Sequence, residues 1–448
     1  MFAGFAEIEF TPKSGIIPGQ ILPDFAEGTR TPLMAHAAAI TSGAETTVLV
    51  SVDILYVSLA FAERMRRAIS ERYAIPRENV LIACTHTHTG CATDNPCWLS
   101  PTDPVLIETV GEAILKAVEV AYESRTEATL SVGITYEDRF SYNRIWYLND
   151  GTLRSNPGYI GDTLYRPFGK VDQSVNVLRI DDTDGKVRAF VVNYANHPDN
   201  HRGYEREKFS ADYPGYLRLA LQKEYGEDIA VLFLNGTCGD VNDLDFKNGY
   251  SKTYRSVDEP PKIIGEGIAE RITALSSRIT ASESNFAIRA KSKVFAVPRR
   301  RATEELRAWA RDVMAKKAAG ENISDHRAEL ARQYLEEDPN LSDTVDFEIG
   351  VIQIGPWALV CLPGEICTEA GLRIKALSPY VYTVISELAN GTHGYVTSDA
   401  LQKGGTYESF YSNIAYTGIG TVDILVNGAL ELLNELFDEE LRSIRSAD

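Results

Sequence analysis

"IACTHTHTGCATDN", Ile82–Asn95, sets two histidines two residues apart directly behind an apolar run. Alternate side chains of an extended strand point to the same side, so His86 and His88 are expected to face one way. The chain has seven histidines in all, and two readings compete for this pair. One is a pair of polar residues closing a strand as it leaves the sheet. The other is a metal or proton-transfer site at a strand's C-terminal end, where α/β folds place their chemistry. The pattern on either side decides between them, and with it the fold.

Apolar, β-branched runs read as strands at 46–55, 79–84, 174–180, 187–195, 229–235, 285–297, 346–355 and 380–388. Helical periodicity marks 61–73, 105–124, 213–225 and 422–441. Strands interleave with helices, and several follow one another with no helix between. An α/β fold with mixed β-sheets surrounded by helices is therefore expected. The segment 301–338 is dense in charge and helix formers, with "AAGEN" in its middle, and reads as an exposed helical hairpin inserted into the domain. His326 within it is expected to be solvated. No Pro/Gly/Ser linker or internal repeat divides residues 1–448, so a single domain is expected.

Hydrophobic residues make up 44% of the 448 and charged ones 24%, ordinary values for a globular protein. A net charge of −18 argues against nucleic acid or an anionic membrane surface as partner, since both require basic patches. The start, "MFAGFAEIEFTPKSGIIPG", lacks a basic n-region and carries Glu7 and Glu9, unlike a secretory signal. No apolar run reaches the length of about eighteen residues that a membrane span needs. Six cysteines are few for this length and suit a reduced, cytoplasmic chain. Cys84, Cys91 and Cys97 lack a paired CxxC knuckle and read as thiols rather than a zinc cluster.

Four further stretches place titratable residues immediately after an apolar strand. "NYANHPDNH" holds His197 and His201, and "NGTCGDVNDLD" holds Asn235, Asp240 and Asn242 in a glycine-punctuated loop. "PGE" places Glu365 before a helix, and "NGTHGYVTSDALQKGGTYES" holds His393, Tyr395 and Tyr407. Each has a plainer reading: Asp212 as a helix N-cap, Glu365 as a first-turn glutamate favoured by the helix dipole. Yet two histidines and a glutamate from three strand ends are a recurrent way to hold zinc with a position left open.

In the same order, "CTHTHTG", "NYANHP", "GDVND", "PGE" and "GYVTSD…YES" resemble the catalytic domain of the neutral, non-lysosomal ceramidases. The "NR" of "FSYNRIWYLN" and the opening "AGFAEIEFTPKSG" add to the likeness, which spans nearly the whole chain. The resemblance implies a zinc ion on His86, His197, Glu365 and Tyr395. It places Tyr407, twelve residues beyond Tyr395, as oxyanion donor, Arg144 near the substrate and His88 beside the reacting centre. Two departures stand out. The family's GDVS serine is Asn242 here, and an amide cannot be activated as a nucleophile in the way a hydroxyl can. The sequence also ends near the catalytic domain's limit, without the family's C-terminal immunoglobulin-like domain.

The expectation is a zinc-dependent hydrolase acting through zinc-bound water on an amide or ester of a small polar substrate. His88 would pass a proton to the leaving group. Asp53, Asp212 and Asp240 would orient the histidines. Alternatives are a metal-dependent lyase or isomerase acting on a carbohydrate, and a binding protein without catalysis. Homo-oligomerisation stays open.

Overall fold

The computed structural model describes residues 1–19, 23–93, 102–158, 160–201, 206–248, 259–279 and 283–445. Its centre is an eight-stranded sheet in the order Ala230–Asn235, Val187–Tyr194, Ser174–Asp182, Thr126–Tyr136, Phe2–Glu9, Met34–Ser42, Glu45–Val52, Val80–Cys84. Neighbours run antiparallel except at the two ends, where Val187–Tyr194 pairs in parallel with Ala230–Asn235, and Glu45–Val52 with Val80–Cys84. Parallel pairs need a crossover, which the helices Asp212–Tyr225 and Leu59–Tyr73 supply. The fold is thus mixed α/β, as the interleaved pattern implies.

Period-two alternation splits the sheet between two cores. In Met34–Ser42, Ala35, Ala37 and Ala39 face the helices Leu59–Tyr73 and Pro104–Glu123, while Ala38 and Ile40 face the opposite way. Alanines let the helix come close. A Cβ on Gly4 would sit 2.0 Å from the Ala121 carbonyl, so glycine is required there. Helices Asp212–Tyr225 and Glu259–Ser276 cover the other half of that face. The inner face packs on a second, four-stranded sheet: Ile288–Pro298, Thr344–Ile354, Trp357–Cys361 and Tyr382–Ser386. Its far side is covered by Thr368–Leu377 and Thr421–Arg445. The result is four layers, helix–sheet–sheet–helix.

Sequence periodicity misses the strands Phe2–Glu9, Met34–Ser42, Thr126–Tyr136 and Trp357–Cys361. Two are rich in alanine or glycine, residues of low strand propensity whose place in the sheet is set by packing. The run 46–55 leaves the sheet earlier than expected, at Val52, and the freed carbonyls of Ile54 and Leu55 acquire another use below. Within the charged segment, Glu304–Ala318 and Asp325–Glu336 form two helices, capped by Thr303 and Ser324. They enclose a small core with Tyr411 packed against it. His326 is half-buried there rather than fully solvated. Among the described residues no helix is long and apolar enough to cross a membrane.

A buried charge cluster ties the first strands to the helix Asp212–Tyr225. His36, 3% exposed, lies 3.1 Å from Glu7 through Nδ1 and 3.4 Å from Asp53 through Nε2, with Arg218 also 3.4 Å from Asp53. Burial alone would depress the imidazole, but hydrogen bonds and charge from Asp53 and Glu7 raise it above its ordinary value. A raised folded-state value contributes stability that is complete below the unfolded value of about 6.5 and is lost as pH rises through the folded one. Urea unfolding of the native protein should therefore show stability falling as pH rises past about 6.5, and His36→Gln should flatten that slope. An unaltered slope in the variant would assign the pH dependence elsewhere.

Candidate metal centre

The strands that run in parallel bring their C-terminal ends to one place. Val80–Cys84 leads to His86 and His88, Val187–Tyr194 to His197, and Ala230–Asn235 to Cys238 and Asp240. From the second sheet, Trp357–Cys361 leads to Glu365, and Tyr382–Ser386 to Glu387 and Tyr395. The first sheet's two edges meet there. Asn235 Nδ2 donates to the Thr85 carbonyl at 3.4 Å, and the Asn390 amide donates to Ile82 at 2.7 Å.

His86 and His88 do not share a strand face. The strand has ended at Cys84, and His86 adopts φ of 69°, the left-handed region that a non-glycine residue occupies only when its surroundings hold it. Its amide donates to the Ile54 carbonyl at 3.0 Å, and the Thr85 amide to Val52 at 2.9 Å. The turn, not the pleat, aims both rings inward.

Each imidazole is oriented by a backbone carbonyl. His86 Nδ1 lies 2.9 Å from Leu55 O, His197 Nδ1 3.3 Å from Cys238 O, and His88 Nδ1 bonds Gly19 O. A carbonyl can only accept, so the single proton of a neutral ring belongs on Nδ1, and Nε2 is then a bare lone pair. The three Nε2 atoms then converge at 3.2 Å (His86–His197), 3.4 Å (His86–His88) and 3.0 Å (His88–His197). Three acceptors at that spacing have no proton to share. Burial holds His88 down at about 4, and burial with Arg144 and the other rings holds His197 well below its ordinary value.

Glu365 completes the cluster. Its Oε2 is 3.3 Å from His86 Nε2 and 4.0 Å from His197 Nε2, and makes no hydrogen bond, though the residue is fully buried. Burial would raise its carboxyl, a proton on His86 would lower it, and the hydroxyls of Tyr56 and Tyr395 lower it as well. Tyr56 donates to Oε1. A two-residue parallel bridge pairs Glu365 with Tyr395 in register. That bridge needs Gly394, at φ of 71°, where a Cβ would lie 2.2 Å from the Ile414 carbonyl.

Arg144, 5% exposed, donates through Nη2 to Tyr395 Oη at 3.1 Å and to Gly239 O at 2.9 Å, and through Nε to Glu408 at 2.7 Å. Tyr407 stands edge-on to Tyr395 with ring centres 5.9 Å apart, and is 48% exposed. Asn242 is absorbed by turns: its Oδ1 accepts from Leu244 N at 3.0 Å and its Nδ2 donates to Asn156 at 2.8 Å.

The structure does not give the carboxylates Asp53, Asp212 and Asp240 the orienting role expected of them, because backbone carbonyls take the three Nδ1 positions. Asp53 joins His36, Asp212 accepts from the Asn200 and Tyr213 amides, and Asp240 accepts from Thr368 and Asn143. His201 bonds Ser210, and His393 stacks on Phe347 away from the cluster. Cys84 and Cys91 are buried thiols, and Cys97 lies outside the described residues. Tyr56, Glu387 and Glu408 were not anticipated. The one available signal for Glu387 was a lone acid closing the apolar run 380–388.

With this geometry in place, comparison with known proteins adds the fold. No protein-family profile matches the sequence, and no curated protein sequence does. Neutral ceramidase from Pseudomonas aeruginosa superposes with a TM-score of 0.75 at 15% identity, over 98% of this chain and 74% of that one. This chain has the neutral ceramidase fold. A structure described as a ceramidase complexed with C2 gives a TM-score of 0.73 at 14% identity, covering 98% and 75%. The fold here ends its parallel strands on the histidine cluster, where the first sheet's two edges meet.

Removing Glu408 would leave Arg144 buried beside Tyr395 without its carboxylate. Glu408→Ala should cost about 3–5 kcal/mol in urea unfolding, and Glu408→Gln, which keeps an acceptor, clearly less. A loss below about 0.5 kcal/mol for the alanine variant would show that the pair does not hold the site.

Proposed function

We propose that the chain is a zinc-dependent hydrolase that cleaves an amide or ester bond of a small polar substrate. The observation that carries this reading is the convergence of three bare imidazole Nε2 atoms on a buried carboxylate oxygen that has no hydrogen bond. Neutral imidazoles and one carboxylate leave the cluster with a net negative charge in a dry place, which a cation would offset. Nitrogen and oxygen donors of this kind suit zinc. His86, His197 and Glu365, all essentially buried, would hold the ion, with Tyr395 beside them. Bound there, zinc would supply Lewis acidity toward a carbonyl and toward water.

The chain's own groups would do the rest. His88 is the solvent-side ring of the three, partly exposed where His86 and His197 are buried. It can take a proton at Nε2 and deliver it to the leaving group. Tyr407 Oη would donate to the oxyanion that forms when the carbonyl is attacked. Arg144, its charge already balanced by Glu408, would keep the Tyr395 hydroxyl in place and offer its remaining N–H groups to a polar substrate atom. The two nucleophile candidates of the loop after Asn235 are poor ones. Asn242 is not nucleophilic, and burial beside Glu387 pushes the Cys238 thiol well above its ordinary value. Direct attack by water follows.

Elemental analysis should find about one zinc per chain, with large loss in His86→Ala and His197→Ala and retention in His88→Ala. Full zinc in both of the first two would overturn the site, and loss in His88→Ala would make that ring a ligand. Tyr407→Phe should lower turnover by roughly 10²–10³ with little change in substrate affinity. Unchanged turnover would move the oxyanion donor elsewhere. Rapid quenching followed by intact-mass measurement should show no acyl adduct, and a stable mass gain equal to the acyl group would refute direct attack.

A further inference from the structure

Beside the cluster lies a carboxyl whose bonds reach the loop that orients His197, at Cys238, and the loop that carries Glu365, at Ile366. Glu387 is fully buried at the end of strand Tyr382–Ser386. Its Oε2 accepts from the Ile366 amide at 2.8 Å and the Cys238 amide at 3.1 Å, and its Oε1 accepts from the Cys238 thiol at 2.9 Å. Its own amide donates to the Asn235 carbonyl at 3.0 Å. Among the described residues no cation pairs with it. A buried acid without an ion pair is costly unless its hydrogen bonds are well satisfied, and here three donors converge on it.

What those donors belong to gives the arrangement its meaning. Cys238 is the residue whose carbonyl faces His197 Nδ1 at 3.3 Å, and its sulfur lies 3.6 Å from the same nitrogen. Ile366 follows Glu365 directly, and its carbonyl accepts from the Gly239 amide at 3.0 Å. One carboxyl therefore clamps the peptide next to each of two proposed zinc-holding side chains. If the Cys238 peptide could turn, the thiol would be free to donate to His197 Nδ1, the ring proton would move to Nε2, and the lone pair facing the cluster would be gone.

We propose that Glu387, acting through Cys238, is a positioning residue that fixes His197 as the Nδ1–H tautomer and so keeps its Nε2 open to a metal ion. Cys238 is on this account neither a ligand nor a bystander. Its thiol is committed to Glu387, which leaves its carbonyl as the acceptor for His197. The inference rests on the metal reading for its purpose, but its first consequence is a property of the metal-free protein.

The test uses full-length protein labelled with ¹⁵N-histidine. Seven histidines give a spectrum simple enough to assign His197 by its absence in His197→Gln. Two-bond ¹H–¹⁵N correlation distinguishes the tautomers. Metal-free wild type should show His197 protonated at Nδ1. Glu387→Ala should show mixed or Nε2–H signals, whereas Glu387→Gln, which can accept from both amides and donate to the sulfur, should keep the wild-type pattern. Zinc affinity, read by competition with a chromophoric chelator, should fall roughly 10–100-fold in Glu387→Ala and stay within about threefold in Glu387→Gln. Should Glu387→Ala fail to fold, Glu387→Asp, whose shorter side chain cannot reach the Cys238 and Ile366 amides together, should likewise mix the tautomers and weaken zinc. A folded Glu387→Ala or Glu387→Asp with the wild-type tautomer and wild-type zinc affinity would overturn the proposal. Wild type that binds no zinc would overturn the metal reading instead, with the tautomer comparison still deciding the role of Glu387.

Discussion

Three backbone carbonyls, at Gly19, Leu55 and Cys238, each face the Nδ1 of a histidine, and the chemistry of the site depends on that constraint. A carbonyl cannot share a proton back, so it fixes the tautomer as firmly as an ionised carboxylate would, without adding a charge. Each neutral ring then presents an unprotonated Nε2 to the other two. Protein interiors seldom aim lone pairs at one another unless something positive belongs between them. Glu365, stripped of solvent and short of one hydrogen bond, makes the demand stronger.

The layered fold exists in a form that serves this constraint. Leu55 can offer its carbonyl because the strand Glu45–Val52 stops at Val52, and Cys238 can offer its own because the loop after Asn235 is pinned by Glu387 and Gly239. Five antiparallel pairings separate the parallel pairs at the two ends of the sheet, so these pairs run oppositely, and the meeting of the sheet's two edges, Asn235 against Thr85, brings His86 and His197 together. The second sheet contributes its own parallel pair, Trp357–Cys361 with Tyr382–Ser386, whose extensions carry Glu365, Glu387 and Tyr395. His86, His197 and Glu365 are buried at these ends.

Much of the candidate site is legible in the sequence because its residues fall into short clusters after apolar runs. His86, His88, His197, Glu365, Tyr395 and Tyr407 lie in such clusters, Arg144 is marked only by the family resemblance, and the structure brings them together. Tyr56, Glu387 and Glu408 escape because each is a single polar residue whose partner is far along the chain. Tyr56 and Glu365, for example, are 309 residues apart. The orienting carbonyls escape for a related reason. An aspartate after a strand is visible in a sequence, whereas a carbonyl that will orient a histidine is carried by every residue and marks none. In the fold, the β-branched strands are legible and the alanine-rich strand Met34–Ser42 is not, since helix packing rather than propensity places it.

Anomalous scattering tests the central claim most directly. Crystals of the full chain grown with zinc, with diffraction recorded on either side of the zinc absorption edge, would locate the ion without reference to activity. The account predicts one strong peak bonded to Nε2 of His86 and His197 and to the Glu365 carboxylate. A map with no peak among those atoms, or zinc bound elsewhere while the three rings keep their separation, would contradict it.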